Sequence, residues 1–221
     1  MLLYSLGIAA YTVAIKAVAP WKPKAQKWVE GRRGIFERLQ ATVGKSDRPV
    51  VWIHASSLGE FEQGRPIIEQ IKAEHPEYKI LLTFYSPSGY EIRKNYQGAD
   101  YIFYLPLDTK ANARQFLDIV KPQMAVFVKY EYWLNLLAEL RERNIPTYIV
   151  SAIFRKDSIF FRSYGNMWRK ALDTFETIFV QDEASKQLLS TIGKDNVVVA
   201  GDTRFDRVLT IAEKSEKVEI V

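Results

Sequence analysis

The stretch Val50-Val51-Trp52-Ile53-His54-Ala55-Ser56-Ser57-Leu58-Gly59-Glu60 decides how the rest of the chain reads. Residues 50–55 form a short apolar run broken only by His54, and their length and β-branched content predict a buried strand. Ser56 and Ser57 end the run, and Glu60 opens an amphipathic stretch that predicts a helix over 60–74. Strand, small-residue turn and helix in that order begin an open α/β sheet. In such sheets ligands bind in the crevice beyond the carboxyl ends of the strands. Glu60 is thus a titratable group where chemistry can happen, and a carboxylate there can act as a general base. The same residues fit a plainer role, in which Ser56 and Ser57 cap the helix and Glu60 complements its dipole. His54 reads as a hydrogen-bonded core histidine rather than a catalyst.

Outward from this unit the pattern repeats. Further strands are predicted at 79–84, 101–104, 123–128, 147–151, 177–180 and 196–200, and helices at 88–96, 109–120, 133–143, 159–173, 182–192 and 203–215. Pro49, Pro76, Pro106, Pro122 and Pro146 fall at or near the boundaries. Such alternation predicts an α/β, Rossmann-like fold: a mostly parallel sheet with helices on both faces. Residues 1–33 read as a membrane-attachment segment and 34–206 as the Rossmann-like domain, with a connector at 34–48. Residues 207–221 turn charged with no strand after them, and read as an exit toward a further domain.

The chain has 221 residues, 48% of them hydrophobic and 13% aromatic, which indicates a packed core rather than disorder. It has no cysteine, so disulfides, thiolate metal sites and cysteine nucleophiles are excluded. Two histidines, His54 and His75, are too few for a histidine-rich metal site, and no metal is expected. G-x-G-x-x-G, G-x-x-x-x-G-K-[ST] and G-x-S-x-G are all absent, so no cofactor is expected either.

The net charge of +5 is concentrated. Lys16, Lys22, Lys24, Lys27, Arg32 and Arg33 stand against Glu30 alone in residues 16–33, so the rest of the chain balances to zero. This basic collar follows fifteen uncharged residues and carries Trp21 and Trp28, a pattern suited to an anionic cytoplasmic leaflet. The uncharged run is shorter than the ~20 residues that span a bilayer easily. A signal peptide would begin with positive charge, and Pro20 spoils the cleavage site that Ala17-Val18-Ala19 suggests. The favoured reading is a membrane-attached N-terminus with the globular part cytoplasmic; the alternative is a helix packed on the protein's own core. No basic stripe elsewhere suggests nucleic acid.

The remaining strand-end loops are polar. Tyr85-Ser86-Pro87-Ser88-Gly89-Tyr90-Glu91 could turn backbone N–H groups toward an anion, or be an ordinary turn. Lys129-Tyr130-Glu131-Tyr132-Trp133 holds two charges that could pair on a rim. Ser151 to Arg155 and Gly201 to Asp206 add Arg155 and Arg204, which could equally be solvated. Convergence favours a site: Glu60, Lys129, Glu131, Arg155 and Arg204 gather on one edge of the sheet.

The His54–Glu60 block, the Thr83–Gly89 block, Glu131-Tyr132-Trp133 with Asn135, and Gly201 with Phe205-Asp206 together resemble a known family. The chain is similar, from its N-terminus to Asp206, to the N-terminal half of the bacterial 3-deoxy-D-manno-octulosonic acid (Kdo) transferases of lipopolysaccharide synthesis. The resemblance implies half of a GT-B glycosyltransferase, whose N-terminal domain takes a lipid A precursor as acceptor while a C-terminal domain binds the CMP-Kdo donor. It implies that Glu60 is the general base of an inverting transfer and Glu131 a second essential carboxylate. Ser57, Gly59, Ser86, Ser88, Gly89, Lys129, Arg155 and Arg204 are then candidates for acceptor contacts. The chain departs from many relatives at Lys129, where they carry an acid, at Leu134, where they carry proline, and across Ser151 to Arg155. The donor half is missing, so this chain alone is expected to be inactive. Two other classes fit the residues: another glycosyltransferase half of this fold, and a non-catalytic membrane-attached module in which Glu60 only caps a helix.

Overall fold

The computed structural model describes residues 2–202; the helix expected at 203–215, Arg204 and the exit segment 207–221 lie outside the described residues. Among the described residues seven strands form one sheet: β1 Val50–Ala55, β2 Lys79–Phe84, β3 Tyr101–Tyr104, β4 Met124–Val128, β5 Thr147–Ala152, β6 Thr177–Val180 and β7 Val197–Val199. Their order is β3-β2-β1-β4-β5-β6-β7, and every pair is parallel. Each expected strand is present to within a residue or two. They were legible because parallel strands covered on both faces read as continuous apolar runs.

The parity of β1 shows how the layers form. Trp52 belongs to one core cluster with Leu81, Phe127 and Ile149, while Val51 and Ile53 belong to another with Ile80, Leu82 and Val126. The first face is covered by α3 (Ile35–Ala41), α6 (Lys110–Val120), α7 (Leu134–Glu142), α8 (Asn166–Leu172) and α9 (Glu183–Ser190). The second is covered by α4 (Leu58–Glu74), with α5 (Pro87–Arg93) beside it. Gly64 lets α4 lie on β4, since a Cβ there would come within 2.9 Å of Val128 Cγ2. Local signals set several helix starts. Thr109 accepts from the Asn112 N–H at α6, and Asp182 from the Ser185 N–H at α9.

One expected helix, 159–173, is broken. Residues Ile159–Phe161 make a single 3-10 turn, and α8 begins only at Asn166. Gly165 presses its backbone against the turn; a Cβ there would sit 1.9 Å from the Ile159 carbonyl oxygen. Arg169 ties the bend by donating to the carbonyls of Phe160 and Arg162.

The N-terminal residues form α1 (Leu2–Val18) and α2 (Pro23–Glu30). Among the described residues no helix is long and apolar enough to cross a membrane. α1 packs on the domain through Tyr4, whose hydroxyl donates to Asp108 at 2.6 Å and whose ring meets Trp168, and through Tyr11, which meets Trp28 and Tyr85. Leu3, Leu6, Val13, Val18 and Trp21 remain exposed on the same segment. Arg32, read in the sequence as part of a basic collar, turns inward. It lies 4.2 Å over Trp28 and 4.8 Å over Tyr85, and donates to the carbonyls of Trp28, Tyr85 and Leu105. Burial lowers its pKa to about 10.

Candidate active site

The strand order reverses direction between β1 and β4, the neighbours at the centre of the sheet. The loops leaving their carboxyl ends diverge there and open the crevice that α/β sheets use for ligands. Glu60 comes from the first of these loops and Glu131 from the second.

Ser57 is the N-cap residue of α4, with extended backbone, and Glu60 is the third residue of the helix. That spacing is the one a capping box uses, but the box does not form. The Ser57 side chain makes no bond to the helix backbone and donates instead to Glu60 Oε2. Ser57 is the one hydrogen-bond partner of this half-buried carboxylate among the described residues. Gly59 is exposed, and a Cβ there would meet nothing closer than Ser57 Oγ at 3.9 Å, so the approach to Glu60 carries no bulk. A carboxylate at a helix N-terminus, held by one hydroxyl beside an open surface, is placed to accept a proton.

Glu131 has the opposite surroundings. The chain leaves β4 through Lys129 in a left-handed conformation, φ 72°, which costs a non-glycine residue about 1–2 kcal/mol. The kink folds Glu131 inward, where it is 5% exposed. Its Oε2 accepts the Trp133 indole N–H at 2.6 Å and lies 3.0 Å from His54 Nε2. His54 is fully buried on β1, with Nδ1 3.1 Å from the Thr83 carbonyl and 2.9 Å from the Thr83 hydroxyl. Nδ1 donates to the carbonyl in one tautomer and accepts from the hydroxyl in the other, and Nε2 faces Glu131 and Trp133. With a hydrogen on Nε2 the ring donates to Glu131 Oε2; without one, Nε2 accepts from the Trp133 indole 3.1 Å away. Trp52 closes the network by donating to the Thr83 hydroxyl at 2.8 Å. Glu131 is therefore a fixed group wired into the core, not a rim partner of Lys129, whose ammonium lies 5.3 Å from the Tyr130 ring centre.

The second loop is joined to the first by the Ser86 N–H, which donates to the Ser56 carbonyl at 2.7 Å. Its backbone donors are already used: Ser88 N–H bonds to Ser86 Oγ, and Gly89 and Tyr90 N–H both bond to the Ser86 carbonyl. The Ser86 and Ser88 hydroxyls bond to each other at 3.0 Å on the exposed side of the turn. Gly89 is buried for packing, since a Cβ would come within 2.3 Å of the Phe84 ring. Arg155 is exposed at the end of β5, and Arg204 lies outside the described residues.

Two groups were given no role in the sequence reading. Thr83 matters only through its register opposite His54, in the β1–β2 pairing. Asp108, buried to 1%, accepts from Tyr4 and from the Asn135 and Leu136 N–H groups, so it caps α7 from outside the helix. Asn135 returns a bond to the Asp108 carbonyl at 2.6 Å. Burial holds the Asp108 carboxyl above its usual range, against the lowering effect of the bonds it accepts. Among the described residues no three histidine, aspartate or glutamate side chains gather as metal ligands.

This architecture is a Rossmann-like domain of the GT-B kind. UDP-N-acetylglucosamine 2-epimerase structures share it: one has a TM-score of 0.56 at 14% identity, covering 74% of this chain and 51% of that one. Another, from Neisseria meningitidis, has 0.54 at 18% identity, covering 75% and 50%. At such identity the likeness concerns the fold alone. The family is fixed by sequence: residues 32–207 match the 3-deoxy-D-manno-octulosonic-acid transferase (kdotransferase) family, and the chain belongs to it. It is 28% identical to the 3-deoxy-D-manno-octulosonic acid transferase of Haemophilus influenzae over 71% of this chain and 38% of that protein. With that of Aquifex aeolicus it shares 28% over 73% and 42%, and with that of Bordetella pertussis 26% over 94% and 52%. The chain spans about half the length of these relatives or less.

Proposed function

We propose that this chain is the acceptor side of a glycosyltransferase that moves Kdo from CMP-Kdo to a lipid A precursor in lipopolysaccharide synthesis. Glu60 takes the proton from an acceptor hydroxyl while that oxygen attacks the anomeric carbon of Kdo. The new carbon–oxygen bond forms as the bond to the CMP phosphate breaks, and the configuration inverts. Ser57 orients the Glu60 carboxylate. Glu131, held by the Trp133 indole and packed beside His54, gives the site a fixed wall beside the reacting groups. The Ser86 and Ser88 hydroxyls, with Lys129, Arg155 and Arg204, contact the phosphorylated acceptor. The donor is bound mainly by a second domain.

The observation that carries this reading is the Glu60 carboxylate, unbonded to the backbone of its own helix and open at the switch point of the sheet. A cap would spend that carboxylate on the Ser57 N–H. Attachment to the cytoplasmic side of the inner membrane fits the exposed apolar residues of α1 beside Lys16, Lys22, Lys24 and Lys27. The test is a transfer assay on the full-length protein with CMP-Kdo and a lipid A precursor. Glu60→Gln should lower kcat by about 10²–10⁴-fold with the fold intact; transfer kept at the parent rate removes Glu60 from the chemistry.

A further inference from the structure

A cleft of about 340 Å³ lies between α1, α2 and the loop after β2. Its volume falls in the range of small-ligand sites. Tyr11, Ile15, Val18 and Trp28 make an apolar wall, and Lys22, Lys24 and Ser86 bring charge and polarity to it. Tyr11 and Val18 stay 47% and 44% exposed, so the wall is left uncovered by the chain's own described residues. The Trp28 indole N–H is buried and has no partner among the described residues.

We infer that this cleft takes one acyl chain of an anionic glycolipid, the acceptor of the transfer proposed above, with the phosphate-bearing head facing Lys22 and Lys24. The inference rests on that reading of the sheet edge, and one contact ties the two together. Tyr85, on the cleft wall, is 4.6 Å from Trp133 between ring centres, and Trp133 holds Glu131. Ser86, also on the wall, is bonded through its N–H to the loop that carries Glu60. A single aromatic ring therefore separates the apolar cleft from the polar edge. A molecule with a tail and a sugar head spans that distance, whereas a bilayer lipid has no group to offer the edge. The charge matches as well, since the chain's whole positive excess lies in residues 16–33.

The test uses the full chain with N-acyl-glucosamine 1-phosphates of increasing chain length, each as monomer, alongside alkyl phosphates and phosphatidylglycerol vesicles. Binding is read from quenching of Trp28 by a brominated chain end, with Trp28→Phe as the blank. Affinity should rise about fourfold per methylene and then level off once the cleft is full. Ala25 also lines the cleft, and Ala25→Phe, which fills it, should abolish the rise; should that change unfold the domain, Val18→Phe at a more exposed position tests the same volume. The double change Lys22→Gln with Lys24→Gln should weaken phosphate-headed ligands several-fold and leave neutral N-acyl-glucosamine unchanged. Binding to vesicles alone, or affinity that climbs without a plateau, means that α1 adsorbs to a bilayer and overturns the proposal. Alkyl phosphates that match the acyl sugars assign the cleft to a bilayer lipid and overturn it too. A failure of the transfer reading appears separately, as Glu60→Gln that still transfers while chain binding persists.

Discussion

The loops after β1 and β4 each deliver one glutamate to the same edge, and they treat it in opposite ways. Glu60 is half-buried and meets one hydroxyl, that of Ser57. Glu131 is 5% exposed and meets two ring nitrogens, one of them on a fully buried histidine. A carboxylate with a single mobile partner can change its protonation during a reaction without disturbing the fold. A carboxylate knitted into the core cannot, because its partners would be left unsatisfied at about 1–3 kcal/mol each. On the proposed function, the difference assigns the proton transfer to Glu60 and the shape of the site to Glu131.

Several substitutions break or sharpen that contrast. The loss of about 10²–10⁴-fold in kcat expected for Glu60→Gln is the largest. Glu131→Leu comes next, because it removes the shorter of the two bonds of the Trp133 N–H and the carboxylate beside the buried His54 ring. It should cost about 2–3 kcal/mol, a fall of roughly 4–12 °C in melting temperature for a domain of this size, with transfer falling alongside. Asp108→Asn should cost about 1–2 kcal/mol by weakening the α7 cap and the docking of Tyr4. It should also change the pH dependence. The folded chain keeps the Asp108 proton to higher pH than the unfolded chain does. Asp108 thus contributes stability that is full at acid pH and lost as pH rises through the raised value. Unfolding midpoints measured from acid to neutral pH should show that slope in the parent and less of it in Asp108→Asn. Ser57→Ala should be smallest, lowering kcat less than tenfold with little change in melting, since it frees Glu60 without removing it.

Much of the fold was legible because the strands are apolar runs between turn residues, as helices covering both faces of the sheet require. The break before α8 was hidden, since Gly165 acts through contact with the Ile159 carbonyl and not through any local pattern. Arg32 was hidden for a related reason: an arginine among lysines reads as surface, and only the aromatic box of Trp28, Tyr85 and Tyr104 turns it inward. At the site, Glu60 was visible from its place after a strand, and His54 was rightly read as a hydrogen-bonded core residue. Its pairing with Glu131 across 77 positions was not visible, because it depends on the β1–β4 register. The Asp108 cap on α7 was missed likewise, since an acid 27 residues before the N–H that it caps carries no capping signature.

The division of labour is tested most directly by measuring transfer and melting temperature together for Glu60→Gln and Glu131→Leu in the full-length protein. Transfer lost with melting unchanged at Glu60, and both lost at Glu131, is the predicted result. Melting lowered with transfer retained at Glu60 would contradict it, and would make that carboxylate a helix cap.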